Sequence, residues 1–417
     1  MGAGRNLRFA YFLVPLLAAE RPEAFASLEG YLDAPPGAWQ AATWVSGMGF
    51  LALLYGYFGP HASRVARLLP AEPEHRRRTA GALTAALFSM GAASVLAAVL
   101  INDGFSLPLM DLFTGGLRDE TVKSFSGRGY LSLGFLLLAL SVPCAALWHC
   151  EAPSRWRLGG ALAIGVIAGV LLIGVVGSRI LALGIPIAVL VVVHYRVRRL
   201  GVLPVVTGGL ALAFLGVVVS ALRGTGSVAD PIAAVGTLGQ TLDGFNFLVN
   251  ALARIDDFSW GTTLVEDLTL TYFPRSLWAG KPLIYGAVSA QEAIAPGLYT
   301  DFQGGATFPP GILAEGYVNF GLIGSVVLPF SAAAVLRAVY VRIQSERPAF
   351  YVLLLGWLLA NLVSLFRGFG LTMPQLIVVA VILSPMLLSG SSRGGVLPGS
   401  AGRVTKLRHR VSARRSP

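Results

Sequence analysis

The chain has 417 residues, 55% of them hydrophobic and only 13% charged, with a mean hydropathy of +0.69 and a net charge of +11. That balance excludes a water-soluble globule and points to a polytopic membrane protein. The five histidines are scattered without ligand spacing, and Cys144 and Cys150 fall on different faces of one predicted helix, so neither a metal site nor a disulfide is expected.

A helix needs about 20 apolar residues to cross a hydrocarbon core. In chain order the candidate spans are 7–19, 39–59, 79–101, 129–149, 158–176, 180–195, 202–222, 311–336, 349–366 and 371–390. The first is short, and no small-x-small site marks it as a cleaved signal peptide. The fifth and sixth are joined tightly at Gly177-Ser178-Arg179. Fifty glycines suit close helix packing in lipid. The expected fold is all-α, with about ten transmembrane helices. Residues 1–222 hold the first seven, and 223–310 form one large loop with short amphipathic helices. Residues 311–390 hold the last three spans, and 391–417 are a basic tail.

Charge orients this arrangement. With the N-terminus in the cytoplasm, the inner segments hold 22 of the 32 Lys and Arg residues but only Glu72, Glu74, Glu151 and Glu346. The inner face is then +18 and the outer face −7, as positive-inside sorting requires. Both termini are expected in the cytoplasm and the large loop outside. The basic tail "VTKLRHRVSARRSP" reads as an anchor near anionic lipid rather than a nucleic-acid arm.

The cations left on the outer side are therefore informative. Arg21, Arg118, Lys123, Arg128 and Arg254 have acidic neighbours in sequence and read as solvated pairs. Arg179 sits at a tight hairpin turn, while Arg223 and Arg367 each end a span in Arg-Gly-x-Gly. Glycine lets backbone N–H groups approach an anion, and arginine adds a planar fork for phosphate oxygens. A shared phosphate or pyrophosphate site is one reading; snorkelling to headgroups or capping of helix C-termini is the other. Arg275 and Lys281 lie in "TYFPRSLWAGKP", a loop stiffened by Pro274 and Pro282 and flanked by Tyr272 and Trp278. These aromatics suit sugar stacking or the headgroup belt equally.

Further on, "FQGGATFPPGILAEGYVNFGLIGS" ends irregular backbone at Pro309-Pro310 and starts a helix near Gly311. Glu315 lies about one turn inside it, followed by Tyr317 and Asn319, and helical spacing puts Ile312, Glu315, Asn319 and Leu322 on one face. An acid at the edge of an apolar span is a candidate general base, or else a partner of the helix dipole or of an arginine. Asp301, Glu292 and Glu266 compete for the same role.

"FPRSLWAGKP" followed some 30 residues later by "FPPGILAEGYVNFGLIG" resembles the Wzy-type oligosaccharide repeat-unit polymerases of bacterial O-antigen and capsule synthesis. Those proteins show a proline-arginine-aromatic-lysine-proline segment in a large periplasmic loop, then an acid-x-aromatic-x-Asn-Phe-Gly helix. The likeness is sharp over about 270–325 and otherwise one of topology. It implies a metal-independent, cofactor-free membrane glycosyltransferase with a GT-C-like fold in the bacterial inner membrane. The growing glycan would pass from undecaprenyl pyrophosphate to the terminal sugar hydroxyl of another lipid-linked repeat unit. Glu315 would then be the base. Arg179, Arg223, Arg275, Lys281 and Arg367 would hold the pyrophosphate, and Tyr272, Trp278, Asp301, Tyr317 and Asn319 the substrate. Membrane lipids and a chain-length regulator protein would be the partners, with no nucleic acid. An O-antigen ligase shares this architecture but carries a histidine in the outer loop, and residues 223–310 contain none. A transporter or flippase of an anionic lipid-linked substrate would place charges at the midplane of two related halves.

Overall fold

The computed structural model describes residues 36–70, 78–102, 129–174, 179–197, 199–201, 203, 206–209, 244–271, 273, 277–278, 280–282, 284–296, 310–346, 348–362, 364 and 369–388. Among these residues every regular element is a helix. In chain order they are α1 (Pro36–Phe58), α2 (His61–Leu68), α3 (Arg78–Asn102), α4 (Gly129–Glu151), α5 (Arg155–Gly174) and α6 (Arg179–Arg196). After these come α7 (244–254), α8 (Thr262–Leu270), α9 (Gly286–Ile294), α10 (Gly311–Glu346), α11 (Ala349–Ala360) and α12 (Phe369–Leu383). Five of them, α1, α3, α4, α5 and α10, are long and apolar enough to cross a membrane. The first four fall on the stretches read as 39–59, 79–101, 129–149 and 158–176. The expected span 7–19 lies wholly, and 202–222 largely, outside the described residues.

Hydrophobicity all round a helix, with no amphipathic stripe, is what a lipid-facing bundle requires. Trp44, Leu51, Leu162 and Val166 are accordingly exposed on the outer surface of α1 and α5. Small residues set the closest helix crossings. The backbones of α3 and α4 approach at Gly91 and Gly134, and those of α6 and α11 at Ala188 and Gly356, leaving little or no room for a larger side chain. Both pairs are antiparallel, since Gly81 meets Trp148 and Gly184 meets Ala360 at their other ends.

The bundle has two chemically distinct ends. At one, Tyr351 Oη donates to the Pro70 carbonyl at 2.7 Å, Arg157 donates to the Trp148 carbonyl at 3.2 Å, and Arg337 lies over the ring of Tyr57. The helices and helix ends gathered there carry Arg64, Arg67, Arg155, Arg157 and Arg342, and the connection after α6 carries Arg199. The opposite end carries α8, α9 and the start of α6.

The span expected at 311–336 differs in shape from a single rod. Phe320 (φ −141°, ψ 19°) and Gly321 (φ 62°, ψ −149°) break α10 into a short arm, α10a (311–319), and a long one, α10b (322–346). The chain folds back on itself there: Ser325 Oγ donates to the Leu313 carbonyl at 2.8 Å across the hairpin. Gly321 adopts a backbone region that only glycine enters readily. A Cβ on either Gly316 or Gly324 would collide with the other's backbone, so the two arms touch through bare main chain. The α10b arm runs parallel to α1, with Gly49 beside Ser325 and Gly56 beside Phe330. Only α10b is left to traverse the bundle; α10a is a re-entrant piece buried in its loop end.

Candidate functional site

The re-entrant arm carries the acid and amide singled out from sequence. Ile312, Glu315 and Asn319 are each 0% exposed, whereas Leu322 lies beyond the reversal and is 51% exposed. Leu322 therefore does not share their face, because the helical register that would have placed it there ends at Phe320. Asn319 Nδ2 donates to the Glu315 carbonyl at 2.9 Å, and its amide also engages the hydroxyl of Thr263 on α8, at 2.7 Å from Nδ2 and 2.9 Å from Oδ1. This links the loop helix to the arm across 56 residues of sequence. Tyr317, at the same level, lies edge-on to Phe258, with ring centroids 5.7 Å apart.

The segment before α8 packs over the hairpin tip. Ser259 N–H donates to the Val318 carbonyl at 2.9 Å, and Phe258 and Phe320 lie against Gly321 and Gly261. Trp260 sits at φ 48°, a left-handed conformation unfavourable for a bulky residue, and remains 75% exposed with its ring edge-on to Phe258. Strain of this kind persists only where the surroundings enforce it. Here Gly261, also left-handed at φ 85°, completes the turn into α8.

A pair of acids on α8 holds α9. Glu266 Oε2 accepts from the Gly286 N–H and Asp267 Oδ2 from the Ala287 N–H, both at 2.8 Å. These are donors of the first turn of α9, which has no side-chain cap of its own, and negative charge there is favourable. Burial pushes the Asp267 carboxyl up to about 7; the Ala287 hydrogen bond opposes that rise and neighbouring Glu266 adds to it. Glu266 is thus engaged in packing α9.

Lys281 answers the same helix from its other end. It is 5% exposed, and its ammonium donates to the carbonyls of Leu270 at 2.6 Å and Phe273 at 3.0 Å. It also lies 4.7 Å from the centroid of the Tyr285 ring. A cation on the final carbonyls of a helix satisfies orphan acceptors and complements the dipole. Lys281 thereby fixes the loop after α8 by its stem and charge. Trp278 is 42% exposed and stacks edge-on with Phe273.

Arg179 opens α6 at the loop end of the bundle. Arg223, Arg275, Arg367, Tyr272 and Asp301 lie outside the described residues, as does the side chain of Arg179. Of the expected site, Glu315, Tyr317 and Asn319 share the arm, whereas Lys281 lies between α8 and α9 and is bound to the end of α8. Sequence reading missed Thr263, Asp267 and Trp260. Thr263 and Asp267 form a period-4 polar pair on α8, a signal that was available (Thr-x-x-x-Asp) but weak. Nothing local marks Trp260. Among the described residues, no three His, Cys, Asp or Glu side chains come together as a metal-holding group. Comparison with family models, with curated proteins and with solved structures finds no match to this chain.

Proposed function

We propose that this protein is a membrane-embedded glycosyltransferase that polymerises polyprenyl-pyrophosphate-linked oligosaccharide repeat units. The observation that carries the proposal is the pairing of Glu315 and Asn319 on a re-entrant arm under the loop helices, at the end of the bundle opposite the arginine-rich one. Positive-inside sorting makes the arginine-rich end cytoplasmic and the loop end periplasmic, within a ten-span inner-membrane protein. The resemblance of 270–325 to the Wzy-type polymerases supplies the reaction class.

In this reading the terminal sugar hydroxyl of one lipid-linked unit attacks the anomeric carbon of the glycan on another. The bond from that carbon to the pyrophosphate oxygen breaks, undecaprenyl pyrophosphate leaves with the electron pair, and the hydroxyl proton passes to Glu315. Arg179, Arg223, Arg275 and Arg367 meet the charge that develops on the leaving group. Lys281 acts one step back, holding the loop in which Arg275 lies. Tyr317, Trp278, Tyr272 and Asp301 flank the glycan. Glu315 is enclosed in the described state, so the residues packed over it must move aside before a hydroxyl reaches it. The Asn319–Thr263 and Ser259–Val318 contacts tie the loop segment to the arm in that state.

The enclosure of Glu315 equally favours a second reading, in which the acid only stabilises the hairpin and the protein binds a lipid-linked anion without chemistry. The deciding experiment incubates purified protein with a synthetic polyprenyl-pyrophosphate repeat unit, with and without lipid A-core as acceptor. A ladder of products supports the polymerase. One addition to lipid A-core supports a ligase, and unchanged substrate bound to the protein supports the transporter.

A further inference from the structure

A cavity at the arginine-rich end belongs to none of the chemistry above. It measures about 480 Å3 and lies between α1, α6, α10b, α11, Leu200 and Gly209. Such a volume falls in the range of roughly 300–1,000 Å3 that accommodates a small organic ligand. Its walls are aliphatic, from residues such as Ile187, Leu190, Leu336 and Leu359, with the polar tips of Tyr57, His194 and Tyr340 set among them.

Arg337 stands at its edge. The guanidinium carbon lies 5.4 Å from the centroid of Tyr57 and 5.1 Å from that of Tyr340, two rings that themselves line the cavity. Its described contacts are these two ring faces, and among the described residues no carboxylate pairs with it. A fork stacked between rings is held in place while its N–H donors stay available for phosphate. His194 Nδ1 accepts the Leu200 N–H at 3.0 Å, which fixes its ring in the wall. There is also room beside the wall at one glycine. Gly209 lines the cavity, and a Cβ built on it meets no atom within 4 Å.

We infer that this cavity is a binding site for one anionic phospholipid of the surrounding bilayer, an acyl chain filling the apolar space and the phosphate resting on Arg337. Charge complementarity selects that occupant: the same end carries Arg64, Arg67, Arg199 and Arg342, and a phosphate is the anion that a lipid surface supplies there. The site joins four helices through one ligand, so its occupancy bears on how firmly α1 and α10b are held together.

The test is native mass spectrometry of the delipidated full-length protein titrated with phosphatidylglycerol and, separately, with phosphatidylcholine. One phosphatidylglycerol should bind saturably, at least about tenfold more tightly than phosphatidylcholine. Arg337→Gln should erase that preference while leaving phosphatidylcholine binding as it was. Gly209→Leu, which projects a side chain into open space, should weaken both lipids and serves as the second probe should Arg337→Gln fold poorly. Equal binding of the two lipids, or phosphatidylglycerol binding unchanged in Gly209→Leu, would overturn the assignment.

Discussion

Glu315 is the side chain on which the functional proposal turns, and its surroundings define what its replacement must do. Glu315→Gln conserves volume in a fully enclosed position, so the fold should survive. Chain extension should fall by at least about a hundredfold, the usual scale for losing a positioned proton acceptor. Near-normal ladders with a lowered melting temperature would assign the acid to packing instead. Asp267 carries a different prediction. Its carboxyl titrates near 7 when folded against 3.8 when free, so the folded chain binds the extra proton more tightly. Stability from this group is therefore fully present below about pH 4 and is lost as pH rises through about 7. Thermal melts should be lower at pH 8 than at pH 5, and Asp267→Asn, which keeps an oxygen for the Ala287 N–H, should flatten the difference. An unchanged slope in that variant would assign the pH effect to another group. Glu315 and Asn319 were legible in sequence because a polar residue in an apolar run stands out. Thr263 and Asp267 were only weakly marked, because their partners lie 56 and 20 residues away and a Thr-x-x-x-Asp spacing does not announce a distant hydrogen bond.

At the scale of elements, the long helices were legible because composition alone dictates them in lipid. The hairpin within α10 was not. Residues 311–336 read as one span because hydropathy has no term for direction, and a folded-back apolar helix scores like a straight one. The signal was present as Gly316, Gly321 and Gly324, whose roles appear only when the two arms are superposed. The expected cost follows from that contact. Gly324→Ala drives a methyl into the Gly316 carbonyl, so overpacking of about 1–3 kcal/mol should show as a lower melting temperature. Ser325→Ala removes one bond across the same hairpin and should cost about 1 kcal/mol. Gly209→Ala, with nothing within 4 Å, is the control that should leave the melting temperature nearly unchanged. Equal behaviour of Gly324→Ala and Gly209→Ala would mean that the hairpin does not persist in the membrane.

For the whole molecule, the separation of an arginine-rich end from a loop end is the property that orients everything else. It predicts a labelling pattern. With Cys144 and Cys150 replaced, a membrane-impermeant thiol reagent applied outside intact cells should modify Ala293→Cys, which is exposed on α9, and spare Arg67→Cys, which is exposed on α2. Lysis should make both reactive. The opposite pattern would move the Glu315 arm to the cytoplasmic side and remove the polymerase reading with it.

The folded-back arm also has a consequence in time. The two arms are fastened together by Ser325 to Leu313, and Asn319 bonds back to the Glu315 carbonyl within the arm, whereas the cover meets it through the Thr263 hydroxyl on α8 and the Ser259 N–H just before that helix. Opening of the cover therefore need not disturb what lies beneath. In deuterium exchange, the amides of α8 should take up label well before those of 311–319, and Thr263→Val should accelerate the first set alone. An acid whose own scaffold never has to melt is ready at each opening, so the turnover of such a site would follow the frequency with which its cover lifts.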